Sequence, residues 1–441
     1  MTLDAKPSTQ QPPSSVPFRV ALRFWLKLGF ISFGGPAGQI AIMHAELVER
    51  RRWISERRFL HALNYCMLLP GPEAQQLATY LGWLMHRTWG GVAAGVLFVL
   101  PSFFILTALS WAYVRFGQTP WLSAVLWGLK PAVVALVVHA GWRLGLRTLR
   151  TMAAGAIALG AFVAMTFDLP FPAILLGASL AGLALPGRFI RPDGSHASRV
   201  ASGDAPRALI DDDTAPPPHA RFSRRRALAL IATFVAIGLV ALMLIFMTDG
   251  VHGRLAQIAS FFTRVAFLTF GGAYAVLPYV TEMTVERYGW LTTAQMIDGL
   301  ALGETTPGPL IMVNAFVGYV AAYARGHHEA TAIAGAGVAT FFTFLPSFLF
   351  ILVGAPWVES SRSVPVVQAP LTAISAAVVG VIATLGVFFA SHVFVTPHGP
   401  DLAAVALAAL AFAVLVGQRA SVVTVVCGCA LFGVVRMAFN G

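Results

Sequence analysis

Long apolar stretches separated by short polar ones run through almost the whole chain. They fall at approximately 18–43, 59–85, 89–113, 119–142, 149–167 and 170–186. A polar stretch at 187–225 follows, carrying Pro192-Asp193-Gly194, Asp211-Asp212-Asp213, Pro216-Pro217-Pro218 and Arg224-Arg225-Arg226. The apolar pattern then resumes at 226–247, 255–280, 294–325, 329–353, 364–388, 401–417 and 420–438. Most of these reach the ~20 residues that a helix needs to cross a bilayer, so each is predicted to be a membrane segment. The order is six segments, a linker, one segment and six more. Residues 187–225 show no hydrophobic period and too few apolar positions to build a core, which predicts a linker without a fold of its own. Residues 1–17, rich in Pro, Ser and Gln and lacking an apolar h-region, read as a short disordered tail and not a cleavable signal peptide.

The chain contains itself twice. Residues 30–78 and 267–315 align without a gap at a constant offset of 237. The shared landmarks are Phe33-Gly34-Gly35 with Phe270-Gly271-Gly272, Val48-Glu49-Arg50 with Val285-Glu286-Arg287, Trp53 with Trp290, and Pro70-Gly71-Pro72 with Pro307-Gly308-Pro309. Duplicated halves with Gly/Pro-broken apolar segments at matching positions point to a transporter and to its binding site. If six segments return the chain to its starting side, the extra segment at 226–247 turns the second repeat over. The predicted fold is therefore an all-α integral membrane protein. It has two inverted-topology repeats of about six segments each (18–186 and 255–438), a linking transmembrane helix (226–247) and Gly/Pro-broken helices at the core.

Composition supports lipid as the surrounding solvent. Hydrophobic residues make up 57% of the chain and charged residues 11%, with a mean hydropathy of +0.74. Soluble domains are about 25% charged. The net charge of +11 sits in short stretches between apolar spans and in the linker, as the positive-inside bias requires, and no basic domain suited to nucleic acid is present. Eight arginines (188, 191, 199, 207, 221, 224, 225 and 226) place the linker in the cytoplasm, and the N-terminal tail with it. The loop 44–58 holds five arginines although simple alternation puts it outside. Its mate 281–293 has one arginine and two glutamates, and alternation puts that loop inside. Both misfits disappear if the segments flanking each loop are broken or re-entrant. Cys66, Cys427 and Cys429 lie in apolar segments and read as packing residues, not a disulfide framework.

Two repeated motifs could carry chemistry. The first is Leu68-Leu69-Pro70-Gly71-Pro72-Glu73-Ala74-Gln75-Gln76, with its mate Gly303-Glu304-Thr305-Thr306-Pro307-Gly308-Pro309-Leu310. Two prolines around a glycine must interrupt a helix, and in lipid the freed backbone groups need protein or a water-filled cavity. A half-helix starting after the break turns N–H groups and a positive dipole end toward that cavity, a ready anion site. The second is Phe33-Gly34-Gly35-Pro36-Ala37-Gly38-Gln39, with its mate Phe270-Gly271-Gly272-Ala273-Tyr274. Its glycines permit close backbone approach, either to an oxyanion or to a neighbouring helix. Six residues before each Phe-Gly-Gly stands a cation, Lys27 and Arg264, which either lines a substrate path or snorkels to headgroups. Glu73 aligns with Leu310 and Glu304 with Met67, so each half brings its own carboxylate, suited to relaying protons or pairing a cation. Gln75, Gln76, Asn314, Thr305 and Thr306 add neutral donors; Asp298, His61 and Lys130 stand in a second rank.

Taken together, Phe-Gly-Gly-Pro-Ala-Gly-Gln-Ile-Ala, Pro-Gly-Pro-Glu-Ala-Gln-Gln-Leu-Ala and Gly-Glu-Thr-Thr-Pro-Gly-Pro-Leu closely resemble the chromate ion transporter family in its long, two-domain form. The resemblance implies a multi-pass bacterial inner-membrane protein that exports chromate, driven by proton motive force. It implies functional roles for Gly34, Gly35, Pro70, Gly71, Pro72, Glu73, Gln75 and Gln76, and for Gly271, Gly272, Glu304, Thr305, Thr306, Pro307 and Gly308. The expected partners are chromate, protons and membrane lipid, with no cofactor and no metal; a homodimer is compatible with these features. Sulfate is an alternative substrate, being a nearly isosteric tetrahedral dianion. Two other readings are a passive anion channel and an intramembrane enzyme. The enzyme rests only on Gly177-Ala178-Ser179-Leu180 with His139, and the chain has no His-Glu-x-x-His motif.

Overall fold

In the computed structural model each repeat begins with short helices in place of two long ones, and in the first repeat the fourth of them continues past a bend into a 44-residue helix. Residues 16–33, 35–189, 208–211, 214, 217–360, 368–396, 399–418 and 420–440 are described here. The first half comprises α1 (Phe18–Ile31), α2 (Gly35–His44), a π-helical turn (Ala45–Arg50), α3 (Glu56–Leu68), α4 (Glu73–Phe116), α5 (Pro120–Thr148), α6 (Met152–Thr166), α7 (Phe171–Ala184) and a single turn, α8 (Pro186–Phe189). The linking helix α9 (Arg224–Asp249) follows. The second half comprises α10 (Arg254–Leu268), α11 (Ala273–Thr281), a π-helical turn (Glu282–Arg287), α12 (Thr293–Thr305), a 3₁₀ turn (Leu310–Met312), α13 (Val313–Gly326), α14 (Glu329–Ser360), α15 (Gln368–Phe394), α16 (Leu402–Val416) and α17 (Val422–Asn440).

The repeat seen in sequence is a repeat in space. The two π turns, and α3 with α12, coincide residue for residue at the offset of 237. Both short helices start on a side-chain cap: Ser55 accepts from Arg58 N–H, and Thr292 forms a reciprocal box with Gln295. Helix α4 is bent at His86–Arg87, where Arg87 has φ +57°; His327, at φ +55°, divides α13 from α14 in the same way. The apolar stretches 18–43, 59–85, 255–280 and 294–325 are thus each split at Gly-Gly or Pro-Gly-Pro into half-length helices. Helices long and apolar enough to cross a bilayer are 73–116, 120–148, 224–249, 329–359, 369–394 and 422–439, which makes this a multi-pass membrane protein. Helices α6, α7 and α16, at 15, 14 and 15 residues, are shorter than the expected spans.

The halves exchange helices. First-half α5 packs on α16 and α17, and second-half α15 packs on α6 and α7. These crossings are close because small residues face each other. A Cβ at Gly128 would meet the Cys429 carbonyl, and one at Gly380 the Ala158 carbonyl. Helix α9 packs on α14 and α10 with only Ile245 buried among its described residues, so most of its surface is left to lipid.

Polar groups tie each short helix to the opposite half. On one side Arg58 of α3 lies 3.7 Å from Glu359 of α14, which also accepts a 2.6 Å bond from Tyr80, while His61 contacts the Val358 carbonyl at 3.4 Å. On the other, Asp298 of α12 accepts from Tyr113 at 3.0 Å and lies 3.8 Å from Lys130. Removing one partner of a buried ion pair leaves an uncompensated charge, at a cost of about 3–5 kcal/mol. Glu359→Ala and Glu359→Gln both leave Arg58 uncompensated and are expected to lower the unfolding midpoint in detergent, Ala further because Gln keeps an acceptor for Tyr80; a wild-type midpoint in Glu359→Ala would count against this role.

The linker is more structured than its composition suggests. Leu209 and Ile210 donate to the carbonyls of Arg52 and Trp53, Ser55 N–H donates to Ile210, and Arg58 donates to Thr214. His219 contacts the Trp83 carbonyl at 3.0 Å, and Ala220 is buried. A few apolar side chains and backbone bonds to 52–55 suffice to dock this part. The tail 1–15 and Arg191, Arg199 and Arg207 lie outside the described residues.

Candidate substrate site at the crossed helix breaks

The breaks of the two halves bond to each other across the molecule. Gly71 N–H donates to the Thr269 carbonyl, and Gly308 N–H to the Ser32 carbonyl, both at 2.7 Å. These are one bond written twice, since 71 and 308, and 32 and 269, are repeat mates. Ser32 and Thr269 are the C-caps of α1 and α10, immediately before Phe-Gly-Gly. Glycine is required at these points: φ is +128° at Gly71 and +99° at Gly308, outside the range of residues bearing a Cβ. The two glycine amides hold the halves together.

Four helices begin at the breaks: α2 at Gly35, α4 at Glu73, α11 at Ala273, and the 3₁₀ turn leading into α13 at Leu310. They meet in pairs from opposite halves. The α4 start lies beside that of α11, since a Cβ on Gly272 would stand 3.8 Å from Glu73 Oε1. The α2 start lies beside the second break, because Gln39 of α2 donates to the Gly308 carbonyl at 2.5 Å. Each pair brings two positive dipole ends together.

Around this seam the buried side chains carry polar atoms without partners among the described residues: Ser32 Oγ, Gln39 Oε1, Gln75 Oε1, Gln76 Oε1, Asn314 Oδ1, Ser102 Oγ and Ser347 Oγ. Their other groups are engaged, with Gln76 donating to Pro70 O at 2.8 Å, Gln75 to Thr79 at 3.0 Å and Asn314 to Thr343 at 3.2 Å. An isolated buried polar atom costs about 1–3 kcal/mol. A cluster of them marks a place built for a polar ligand or water.

Both carboxylates converge on the Gly271–Tyr274 segment although they come from different halves. Glu73, first residue of α4, faces Gly272, and Glu304, near the end of α12, accepts a bond from the Tyr274 hydroxyl. Among the remaining sequence candidates, Pro72, Pro307 and Gly308 are buried in the breaks, and Pro70 and Gly35 are half-buried there. Thr305 and Thr306 donate to Leu302 and Gly303, closing the end of α12, so their hydroxyl protons are engaged. Gly34 lies outside the described residues.

Lys27 and Arg264 are not brought to the breaks. Helix α1 buries Ala21, Phe24, Trp25, Leu28 and Gly29, which leaves Lys27 exposed on the other face. Arg264 is likewise exposed and donates to Ser260 at 3.1 Å. The sequence reading did not single out Ser102 and Ser347, which stand at the breaks, although Leu100-Pro101-Ser102-Phe103 recurs as Leu345-Pro346-Ser347-Phe348.

Comparison with known proteins places this architecture. A family model described as "Chromate transporter" matches residues 20–183 and 256–434, one match per repeat. The chain belongs to the chromate transporter family. Membership rests on most of both repeats and makes this a transporter-family protein. A chromate transport protein of Cupriavidus metallidurans is 30% identical over 95% of this chain and 92% of its own length. One from Pseudomonas aeruginosa is 33% identical over 86% of this chain and 82% of its own. A probable chromate transport protein of Synechococcus elongatus is 29% identical, covering 82% and 81%. No solved structure matches the chain.

Proposed function

We propose that this protein exports chromate across the bacterial inner membrane by alternating access of two inverted repeats, with proton entry as the drive. The tail and linker are cytoplasmic in this reading, as the linker arginines favour. The observation that carries it is the set of unpaired buried polar atoms around two symmetry-related breaks, each flanked by helix starts and together served by two carboxylates. Within that set the Ser32, Ser102 and Ser347 hydroxyls can donate, while the amide oxygens of Gln39, Gln75, Gln76 and Asn314 only accept. It is the hydroxyls together with the paired positive helix starts that favour a small tetrahedral oxyanion, met from both halves at once. Expelling a dianion against a negative-inside potential is downhill by about 2.3 kcal/mol per charge per 100 mV. A carboxylate that releases a proton inward as the anion leaves would add to that drive, and Glu73 and Glu304 are suited to it. Sulfate is the second substrate reading, since the donors are neutral and chromate and sulfate share shape and charge.

Everted vesicles carrying the protein test this. Chromate uptake is expected to exceed that of empty vesicles, to fall severalfold when a protonophore collapses the gradient, and to be competed weakly by excess sulfate. Uptake indifferent to the gradient would favour a passive channel. Full competition by equimolar sulfate would favour a general oxyanion carrier.

A further inference from the structure

We propose that Ser102 and Ser347 are a matched pair of substrate-binding hydroxyls, each supplied by one half to the break of the other. The proposal rests on reading the breaks as an oxyanion site. Both serines sit one residue after a proline inside a long helix, Ser102 in α4 and Ser347 in α14. Each faces the glycine of the opposite Pro-Gly-Pro. A Cβ on Gly308 would lie 2.7 Å from Ser102 Cβ and 3.1 Å from its Oγ, and a Cβ on Gly71 would collide with Ser347 Oγ. Ser102 and Ser347 are fully buried, at 0% and 1% exposure, and neither hydroxyl has a partner among the described residues.

That last observation, joined to the contact with a break glycine, separates them from their neighbours: Thr107 on α4 also lacks a partner but does not meet Gly71 or Gly308. A serine or threonine inside a helix normally bonds back to a carbonyl one turn earlier. Ser110 on α4 does so to Leu106 at 2.7 Å, and Thr343 on α14 to Ala339 at 2.7 Å. Ser102 and Ser347 do not. Their hydroxyls stand at the points where the glycine amides are already committed to Ser32 and Thr269. With those amides engaged, a rotatable hydroxyl is the donor left to meet an oxyanion oxygen at each break. Two such donors, one per half, would bind a tetrahedral anion from opposite sides and would be drawn apart or together as the halves move.

The absence of protein partners makes the test sharp. If the hydroxyls served the fold, Ser→Ala would lower the melting temperature; with no partner among the described residues, the substitution instead removes an unsatisfied group and leaves the melting temperature unchanged or raised. Ser102→Ala, Ser347→Ala and the double variant, purified full-length in detergent, should therefore melt at or above the wild-type temperature without anion. The shift produced by sodium chromate should shrink, and the vesicle KM should rise by about tenfold per serine, as for loss of one hydrogen bond to a charged group. Sodium sulfate and sodium phosphate serve as comparison anions. A double variant with wild-type chromate response and KM, or one that melts several degrees lower without anion, overturns the assignment. A wild-type protein that neither takes up nor is stabilised by any of the three anions would overturn the oxyanion reading and the serine assignment with it.

Discussion

Gly308→Ala is expected to reduce transport at least 100-fold and to lower the melting temperature markedly. Two penalties act at one atom. The backbone at Gly308 has φ +99°, where a Cβ forces strain of about 1–3 kcal/mol. The new methyl would also lie 2.7 Å from Ser102 Cβ in a fully packed seam, adding about 1–3 kcal/mol of overpacking. If the strain is relieved by rotating the peptide, the bond from Gly308 N–H to Ser32 is lost and the two halves come apart at that point. Gly71→Ala should behave alike, for the same reasons at φ +128°. Gly160→Ala is the control: it lies mid-helix in α6 with nothing within 4 Å of the added Cβ, and there alanine favours the helix by about 1 kcal/mol. Vesicle uptake and melting of the three variants decide the matter. Near-normal uptake by Gly308→Ala would show that the crossed backbone bonds are dispensable.

Neutralising the carboxylates should separate binding from drive. Glu304→Gln keeps the shape of the side chain and an oxygen for the Tyr274 hydroxyl, so folding and chromate binding are expected to persist. What disappears is the group that can take up and release a proton, and gradient-driven accumulation should fall to the level seen with a protonophore. Glu73→Gln lies at a helix start, where a carboxylate also favours the dipole, so a modest loss of stability of about 0.3–1 kcal/mol should accompany its transport defect. Counterflow of labelled chromate without a gradient provides the binding arm. If both variants accumulate chromate like wild type across the pH range, neither carboxylate couples transport to protons.

The sequence was most readable where backbone chemistry leaves few options. Prolines and glycines at matched positions had to break helices, and the breaks stand where Pro70-Gly71-Pro72 and Pro307-Gly308-Pro309 put them. The repeat even set the π turns in register. Orientation was harder to read. In a chain this apolar, a face turned to lipid and a face turned to protein have similar composition, so the sequence left Lys27 and Arg264 between a substrate path and the headgroups, whereas their helices turn them outward. Ser102 and Ser347 were hidden by register: the ungapped match ends at 78 and 315, and beyond it the second half is longer, moving the offset from 237 to 245. The exchange of α5 and α15 could not be read at all, because hydropathy is equally satisfied whichever helices pair.

That exchange has a consequence for synthesis. Helix α5 is complete at residue 148, but its neighbours α16 and α17 begin at 402 and 422. At about 5–20 residues per second, the ribosome needs roughly 13–50 seconds to make the intervening 254 residues (402 minus 148). Throughout that interval the first half sits in the bilayer with its small-residue face, including Gly128, covered only by lipid or by whatever protein is nearby. The order of translation thus makes the N-terminal half a waiting partner, open to premature pairing with another nascent copy until its own C-terminus arrives.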